Sequence, residues 1–319
     1  MRQGALVPII LCPLFLAGAQ PGSQSPAKGR SDEAPAAIFR TETNLALVSF
    51  QVVTKRDAFI ADLHADEIEL LEDGVPQKVA LFEGGKLYPR ASSMEAHVMF
   101  DCSGSIRSNK WAKGVLDPRV FKANLLDEFP NLRIAIWGFS GSGLGLYATP
   151  TRDSAALGAA ISGVIGMTPG STPLYGSLAT VARRLTASRG DTLRLIVVIS
   201  DGRSYAEKAT QADAVGAATS GGIPIYPVLV DAYLLRDQAQ SSFVQLGSLT
   251  GGRAFEFTGA PPDDLVGVVL NRLAEQIRYS YTVGYYPAST GKRGAHMVQV
   301  VLKSSSRGTV VGGARDVQH

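Results

Sequence analysis

Five short, mostly apolar runs recur through the middle of this chain, and they restrict its fold more than any other feature. They are "AHVMFD" ending at Asp101, "LRIAIWGFS" ending at Ser140, "TLRLIVVISD" ending at Asp201, "IPIYPVLVD" ending at Asp231 and "RAFEF" ending at Phe257. A strand with one wet face alternates apolar and polar residues, whereas a nearly unbroken apolar run suits a strand covered on both faces. Between the runs lie stretches with helical spacing: "RVFKANLLDEF", "TPLYGSLATVARRLTAS", "AEKATQADAVGAATSGG", "DQAQSSFVQLGSLTGG" and "PPDDLVGVVLNRLAEQIR". Asp117-Pro118 offers a cap and a first-turn proline to the first of these, and two others end at Gly-Gly stops. The last places Leu265, Val268, Val269, Leu273 and Ile277 on one face. Repeated strand–helix units predict an α/β domain over residues 91–278, built on a doubly wound, mostly parallel sheet.

The flanks read as β. "NLALVSFQVVT" suits a strand with a buried face, and "EIELLEDGVPQKVALFE" suits a hairpin turning at Asp73-Gly74, a pair that accepts positive φ. Pro76 cannot donate to a ladder, so its strand is expected at an edge or kinked. After Arg278, "YSYTVGYYP" and "HMVQVVLKS" alternate, and the turn-rich "ASTGKRG" between them predicts a second hairpin. The segments 37–90 and 279–319 both leave the α/β domain from the bottom of its sheet. They are therefore expected to lie near each other, with one small β-sandwich or sheet as the shared form. The aromatics of "YSYTVGYY" fit core and cross-strand pairs, with a carbohydrate or protein contact surface as the alternative.

The N-terminus reads differently. "MRQGALVPIILCPLFLAGAQ" has Arg2, an apolar core from Ala5 to Leu16, then Ala17-Gly18-Ala19. That order predicts a secretory signal peptide over residues 1–19, with a retained anchor as the alternative, followed by a flexible linker over 20–36. Export to the periplasm, the cell surface or the exterior follows. Cleavage removes Cys12 and leaves Cys102 without an intrachain partner, so Cys102 reads as a small buried apolar residue. A net charge of +3 with no basic block gives nucleic-acid binding no support.

Ligand sites in doubly wound sheets lie beyond the C-terminal ends of the strands. Two predicted strands end there in carboxylates beside small residues: Asp101, followed by "CSGS", and Asp201, in "VVISDGRS". Between them "MTPGSTPLYGSL" brings Thr172 to the start of a helix. Asp101, Ser103 and Ser105 alone are compatible with an Asx-turn, a helix cap, a hydrolase nucleophile or a metal site. With Thr172 and Asp201 added, the set is two carboxylates and three hydroxyls, the oxygen donors that a hard divalent cation such as Mg²⁺ prefers.

This pattern resembles the metal-ion-dependent adhesion site of von Willebrand factor type A (VWA) domains, D-x-S-x-S with a later Thr and a later Asp. The resemblance implies a Rossmann-like VWA fold. It also implies Mg²⁺ (or Mn²⁺) at Asp101, Ser103, Ser105, Thr172 and Asp201, and a coordination position completed by a carboxylate from a partner protein. The flanking β segments resemble those of exported bacterial VWA-related proteins of the acidobacterial type. Arg107, Ser171 and Arg203 neighbour the motif positions and are assigned to a partner-facing rim. The polar, basic "SIRSNKWAKGVLDP" after Ser105 departs from the family pattern and would reshape that rim.

Other chemistries find less support. "GFSGSGLGLY" breaks G-x-G-x-x-G at Leu146 and G-x-S-x-G at Ser142, so it is neither a dinucleotide loop nor a nucleophile elbow. Of the four histidines, His64 and His296 fall in the β blocks, His97 is expected at the far end of its strand, and His319 is terminal. None is placed to serve Ser103 or Ser105 as a base. The expectation is an exported, non-enzymatic protein that captures an Asp or Glu of a protein partner through bound Mg²⁺, without a small-molecule substrate. The alternative is a structural component of the envelope or secretion machinery whose metal is filled internally.

Overall fold

Alternate side chains of a single strand feed two different cores here, which is why the central runs are apolar throughout. The structure is a computed structural model and describes residues 45–108, 119–188, 192–205, 207–232, 237–258, 265–287 and 294–318. The expected signal peptide and linker, Asp117-Pro118 and the "ASTGKR" turn lie outside the described residues.

The first described elements are β1 (Ala46–Val53), β2 (Ile68–Glu72), β3 (Val75–Gln77) and β4 (Leu81–Gly84). Then follow β5 (Ser93–Asp101), α1 (Gly104–Ser108), α2 (Arg119–Phe121, continued by a π-helical turn over Lys122–Leu126), β6 (Leu132–Ser140) and β7 (Gly143–Thr151). The middle continues with α3 (Ser154–Ile165), α4 (Leu174–Ala187), β8 (Thr192–Ser200), α5 (Gln211–Ser220), β9 (Ile225–Ala232) and α6 (Gln238–Thr250). It ends with β10 (Phe255–Thr258), α7 (Leu265–Arg278), β11 (Tyr281–Tyr285), β12 (Ala295–Leu302), β13 (Thr309–Gly312) and β14 (Ala314–Gln318).

A six-stranded sheet in the order β10-β9-β8-β5-β6-β7 is parallel except for β7, which turns back on β6. Val98 and Phe100 of β5 join Ile134 and Ile136 of β6, and Leu157, Ile161, Leu273 and Ile277 of α3 and α7, on one face. Met99, Ala135 and Trp137 join Leu178, Val181, Ala214 and Phe243 of α4, α5 and α6 on the other. With about 1.5–3 kcal/mol at stake per buried large apolar side chain, neither face tolerates a polar stripe. The chain enters at β5, moves outward to β6 and β7, and then crosses back to β8 on the other flank of β5. That reversal puts the switch point between the ends of β5 and β8.

Two elements escape the sequence pattern. β7 occupies the glycine-rich stretch after β6, and α3 follows it with a low-contrast Ala/Gly/Ser composition that lacks a clear apolar stripe. The Gly stops hold: α6 ends at Gly251 with φ +83° and α5 is followed by Gly222 with φ +61°, a region that favours glycine.

The flanking segments interleave strand by strand. One four-stranded antiparallel sheet runs β13-β1-β11-β4 and the other β14-β12-β2-β3, so each takes two strands from either end of the chain. Val48, Phe50, Tyr281 and Tyr285 of the first meet Ile68, Leu70, Val298 and Val300 of the second in one apolar cluster. The β2–β3 hairpin turns at Asp73 and Gly74 with φ +48° and +79°, and Pro76 lies on β3, an edge strand. The second predicted hairpin is corrected: β11 and β12 belong to different sheets, because β11 pairs with β1 and β4 while β12 pairs with β2 and β14. A local turn signal cannot tell a hairpin from a crossing between two facing sheets.

One half-buried arginine locks this sandwich to the α/β layer. Arg90 Nη2 donates to the Ile277 carbonyl at 3.0 Å and to the Ser280 carbonyl at 2.7 Å, and Nη1 donates to Thr282 Oγ1 at 3.2 Å. These acceptors are the last carbonyls of α7 and the start of β11, where a cation meets the negative end of the helix. Gln51 Nε2 adds bonds to the Gln276 carbonyl at 3.0 Å and to its Oε1 at 3.1 Å. The sandwich and the α/β layer form one compact unit, Thr43–His319. Arg90→Met keeps the bulk but removes the charge-assisted bonds to two carbonyls, which retain donors from Ser280 and Gly85, and is expected to cost about 1.5–3 kcal/mol in urea unfolding at neutral pH.

Candidate functional site

The register of β5 with β8 runs from Ser93↔Thr192 to Phe100↔Ile199, so the two strands finish side by side. Asp101 is the last residue of β5 and only 3% exposed. Its Oδ1 accepts from the Ser103 amide at 2.8 Å, the local Asx arrangement that turns the chain into α1. Its Oδ2 accepts from Ser200 Oγ at 2.6 Å, across the strand pair. The Cys102 amide keeps a bond to the Phe139 carbonyl of β6 at 2.8 Å, and the thiol is buried, as expected for a small apolar residue. The hydroxyls of Ser103 and Ser105 lie 3.2 Å apart. Turn formation and a cluster of oxygens therefore coexist in one short segment.

Asp201 follows directly on β8 and is also 3% exposed. Its Oδ1 accepts from the Arg203 amide at 3.1 Å, and its carbonyl accepts from Gln240 Nε2 of α6 at 3.3 Å. Burial pushes the Asp101 carboxyl up from 3.8 to about 6; the Ser200 and Ser103 hydrogen bonds pull against that rise, and the neighbouring Asp201 charge adds to it.

Thr172, buried ahead of α4, is tied to the loop after Asp201. Its carbonyl accepts from the Tyr205 amide at 2.9 Å and from Ser204 Oγ at 3.3 Å. The stretch before it is laid on the β6–β7 turn, where Ser140 Oγ and Ser142 Oγ donate to the Thr168 carbonyl at 2.8 and 3.1 Å. Gly141 and Gly170 make this approach possible: a Cβ on Gly141 would meet the Ser171 amide nitrogen at 2.6 Å. Glu207 secures the helix that follows, accepting from the Tyr175 and Gly176 amides at 2.9 and 2.7 Å in the first turn of α4.

Asp101, Ser103, Ser105 and Asp201 thus share the strand ends, and Thr172 joins them through the 201–205 loop. Of the expected rim, Ser171 is exposed and Arg203 is half-buried, with its guanidinium 3.2 Å from Asp237, the N-cap of α6. The Arg107 side chain and residues 109–118 lie outside the described residues. Sequence reasoning missed Ser200, Ser140, Glu207 and Gln240. Ser200 and Ser140 left a signal, each as a hydroxyl at the end of a mostly apolar run.

Among the described residues no group of three or more His, Cys, Asp or Glu is placed to hold a metal, so a cation here would draw on hydroxyls and water beside the two carboxylates. His97 is corrected from the start of its strand to the middle of β5, because β5 begins at Ser93. It is buried there, accepting from Trp137 Nε1 at 3.1 Å and facing Glu95 at 3.5 Å. Four residues of strand, about 13 Å, separate it from Asp101. His64 lies before β2 and His296 in β12, so neither reaches the serines. Clefts of about 470 and 390 Å³, sharing Phe59 and Lys86, lie instead at the sandwich and its joint with α7.

No protein-family model matches the chain, and no curated protein sequence matches it. Among solved structures, the PilB minor pilin of Streptococcus sanguinis aligns at 12% identity and a TM-score of 0.47 over 61% of this chain and 63% of its own, so this chain spans less than two thirds of that pilin. BatB of Bacteroides thetaiotaomicron aligns at 16% identity and 0.43 over 58% of this chain and 97% of its own. The pilus adhesin SpaC of Lactobacillus rhamnosus GG aligns at 11% and 0.45 over 78% and 46%. All three scores fall below 0.5, too low to bear on function. No helix among the described residues is long and apolar enough to cross a membrane.

A carboxyl whose pKa rises on folding costs stability once it ionises. For Asp101 that cost sets in as pH climbs from 3.8 to about 6 and persists above. In chelator-treated protein, Asp101→Asn should therefore raise stability at pH 8 by up to about 3 kcal/mol, with the gain vanishing near pH 4. Denaturant melts across that range would check it.

Proposed function

We propose that the chain is an exported, non-enzymatic binding protein of the VWA type. In this reading Asp101, Ser103, Ser105, Thr172 and Asp201 hold Mg²⁺ or Mn²⁺, and an Asp or Glu of a partner protein completes the shell. The observation that carries the proposal is the pair of buried, neighbouring carboxylates at the ends of β5 and β8, beside the paired hydroxyls of Ser103 and Ser105. Two like charges 3% exposed in the same place oppose each other, and a divalent cation converts that repulsion into attraction. Hydroxyls and carboxylates are hard donors, matched to Mg²⁺ and Mn²⁺ rather than to softer metals.

Capture is favoured over catalysis because His97, the histidine of the strand that leads to the serines, sits in mid-β5 and is engaged by Trp137. Glu207, a carboxylate of the chain beside the Thr172 loop, is held by two amides of α4 and is thereby committed to that helix. Export rests on Arg2, the apolar stretch Ala5–Leu16 and Ala17-Gly18-Ala19.

Calorimetric titration with Mg²⁺ should show one site in the wild-type chain and none in Asp101→Ala, with circular dichroism confirming that the variant is folded. Affinity capture from the exporting organism should then retain a partner with Mg²⁺ and lose it with a chelator. A folded Asp101→Ala variant that keeps its partner would sink the capture reading in favour of an envelope or secretion scaffold.

A further inference from the structure

We infer that Ser200, which lies outside the five oxygen positions, sets the cation preference of this site, favouring Mg²⁺ over Ca²⁺. The inference rests on the metal-binding reading above. Ser200 is fully buried as the last residue of β8, and its hydroxyl makes two bonds. It accepts from the Gly202 amide at 3.1 Å and donates to Asp101 Oδ2 at 2.6 Å. A hydroxyl has one hydrogen to give, so an amide seated on its lone pair leaves that hydrogen for the carboxylate. The amide is itself fixed: Gly202 has φ +77° and packs so closely on Phe243 of α6 that a Cβ would come within 3.1 Å of the phenylalanine Cβ.

The consequence falls on Asp101. Its Oδ1 is held by the Ser103 amide and its Oδ2 by Ser200, on a strand paired along both sides. A carboxylate pinned through both oxygens cannot swing to grip a cation with both. Ca²⁺ draws its stability from about six to eight direct oxygens, commonly including a bidentate carboxylate, whereas Mg²⁺ takes about six in a tight octahedron and keeps several waters. The pinned Asp101 still has lone pairs to offer to metal-bound water, which suits Mg²⁺ and penalises Ca²⁺. Of the two bonds described, the one from Ser103 is a backbone bond and survives any side-chain change, so Ser200 is the adjustable restraint. It acts through Asp101 as a positioning residue.

The test is a pair of calorimetric titrations, Mg²⁺ and Ca²⁺, on the wild-type chain, Ser200→Ala and Ser200→Thr, with thermal melts of the cation-free proteins to establish folding. Losing a hydrogen bond to a charged group corresponds to about tenfold or more in an equilibrium constant. The ratio of Mg²⁺ to Ca²⁺ affinity should therefore fall about tenfold in Ser200→Ala, and Ser200→Thr, which keeps the hydroxyl, should restore it. Should the alanine variant not fold, Ser200→Cys replaces it, since a thiol is a weak donor of similar size. An unchanged ratio in a folded variant lacking the hydroxyl overturns the inference while leaving the metal reading intact. Binding of neither cation by the wild-type chain overturns both.

Discussion

Two carboxylates are kept out of water at the ends of adjacent parallel strands, and most of the surrounding structure serves to hold them there. Burial raises the proton affinity of Asp101, and the proximity of Asp201 raises it further. Hydrogen bonds from Ser103 and Ser200 offset part of that cost. Around them the backbone is committed from several directions: the Arg203 amide and Gln240 to Asp201, Ser204 and Tyr205 to Thr172, and Glu207 to the first turn of α4. Such an arrangement is expensive as an end in itself, which is the physical ground on which the proposed cation rests.

The position of this site follows from the winding of the sheet. Because the chain leaves β5 in one direction and returns to β8 on its other flank, the ends of these two strands form the switch point of the sheet. The opposite end of the layer is closed by the sandwich, whose sheets each combine strands from before and after the α/β segment. α7 passes into β11 through only Tyr279 and Ser280, and Arg90 clamps that passage. The strand-end site and the sandwich thus occupy opposite ends of the α/β layer.

Legibility in the sequence tracked how local each cause was. β6 was readable to the residue, since burial on two faces writes itself as a nearly unbroken apolar run. β7 and α3 were not, because "GLGLYATPT" and "SAALGAAISGVI" carry glycine and alanine where the pattern needs contrast. The turn at Asp73-Gly74 and the edge position of Pro76 were local facts and held. The supposed hairpin of β11 and β12 failed because pairing partners are chosen by the far end of the chain. At the site, Asp101, Ser103, Ser105, Thr172 and Asp201 were visible as residue types in order, while Glu207 and Gln240 were not and Ser200 showed only as a hydroxyl closing an apolar run, since each works by reaching another element.

By itself, then, the sequence determined the α/β layer, the flanking β segments, and the oxygen-bearing residues waiting at two strand ends. These depend on periodicity and on which residue follows an apolar run, properties contained within a dozen neighbours. The tertiary structure alone decided that the two flanks interleave into facing sheets, that Arg90 fastens them to α7, and that Ser200 reaches from β8 to pin Asp101. Those outcomes turn on distances of about 3 Å between residues far apart in the chain, and nothing in a linear pattern records such distances.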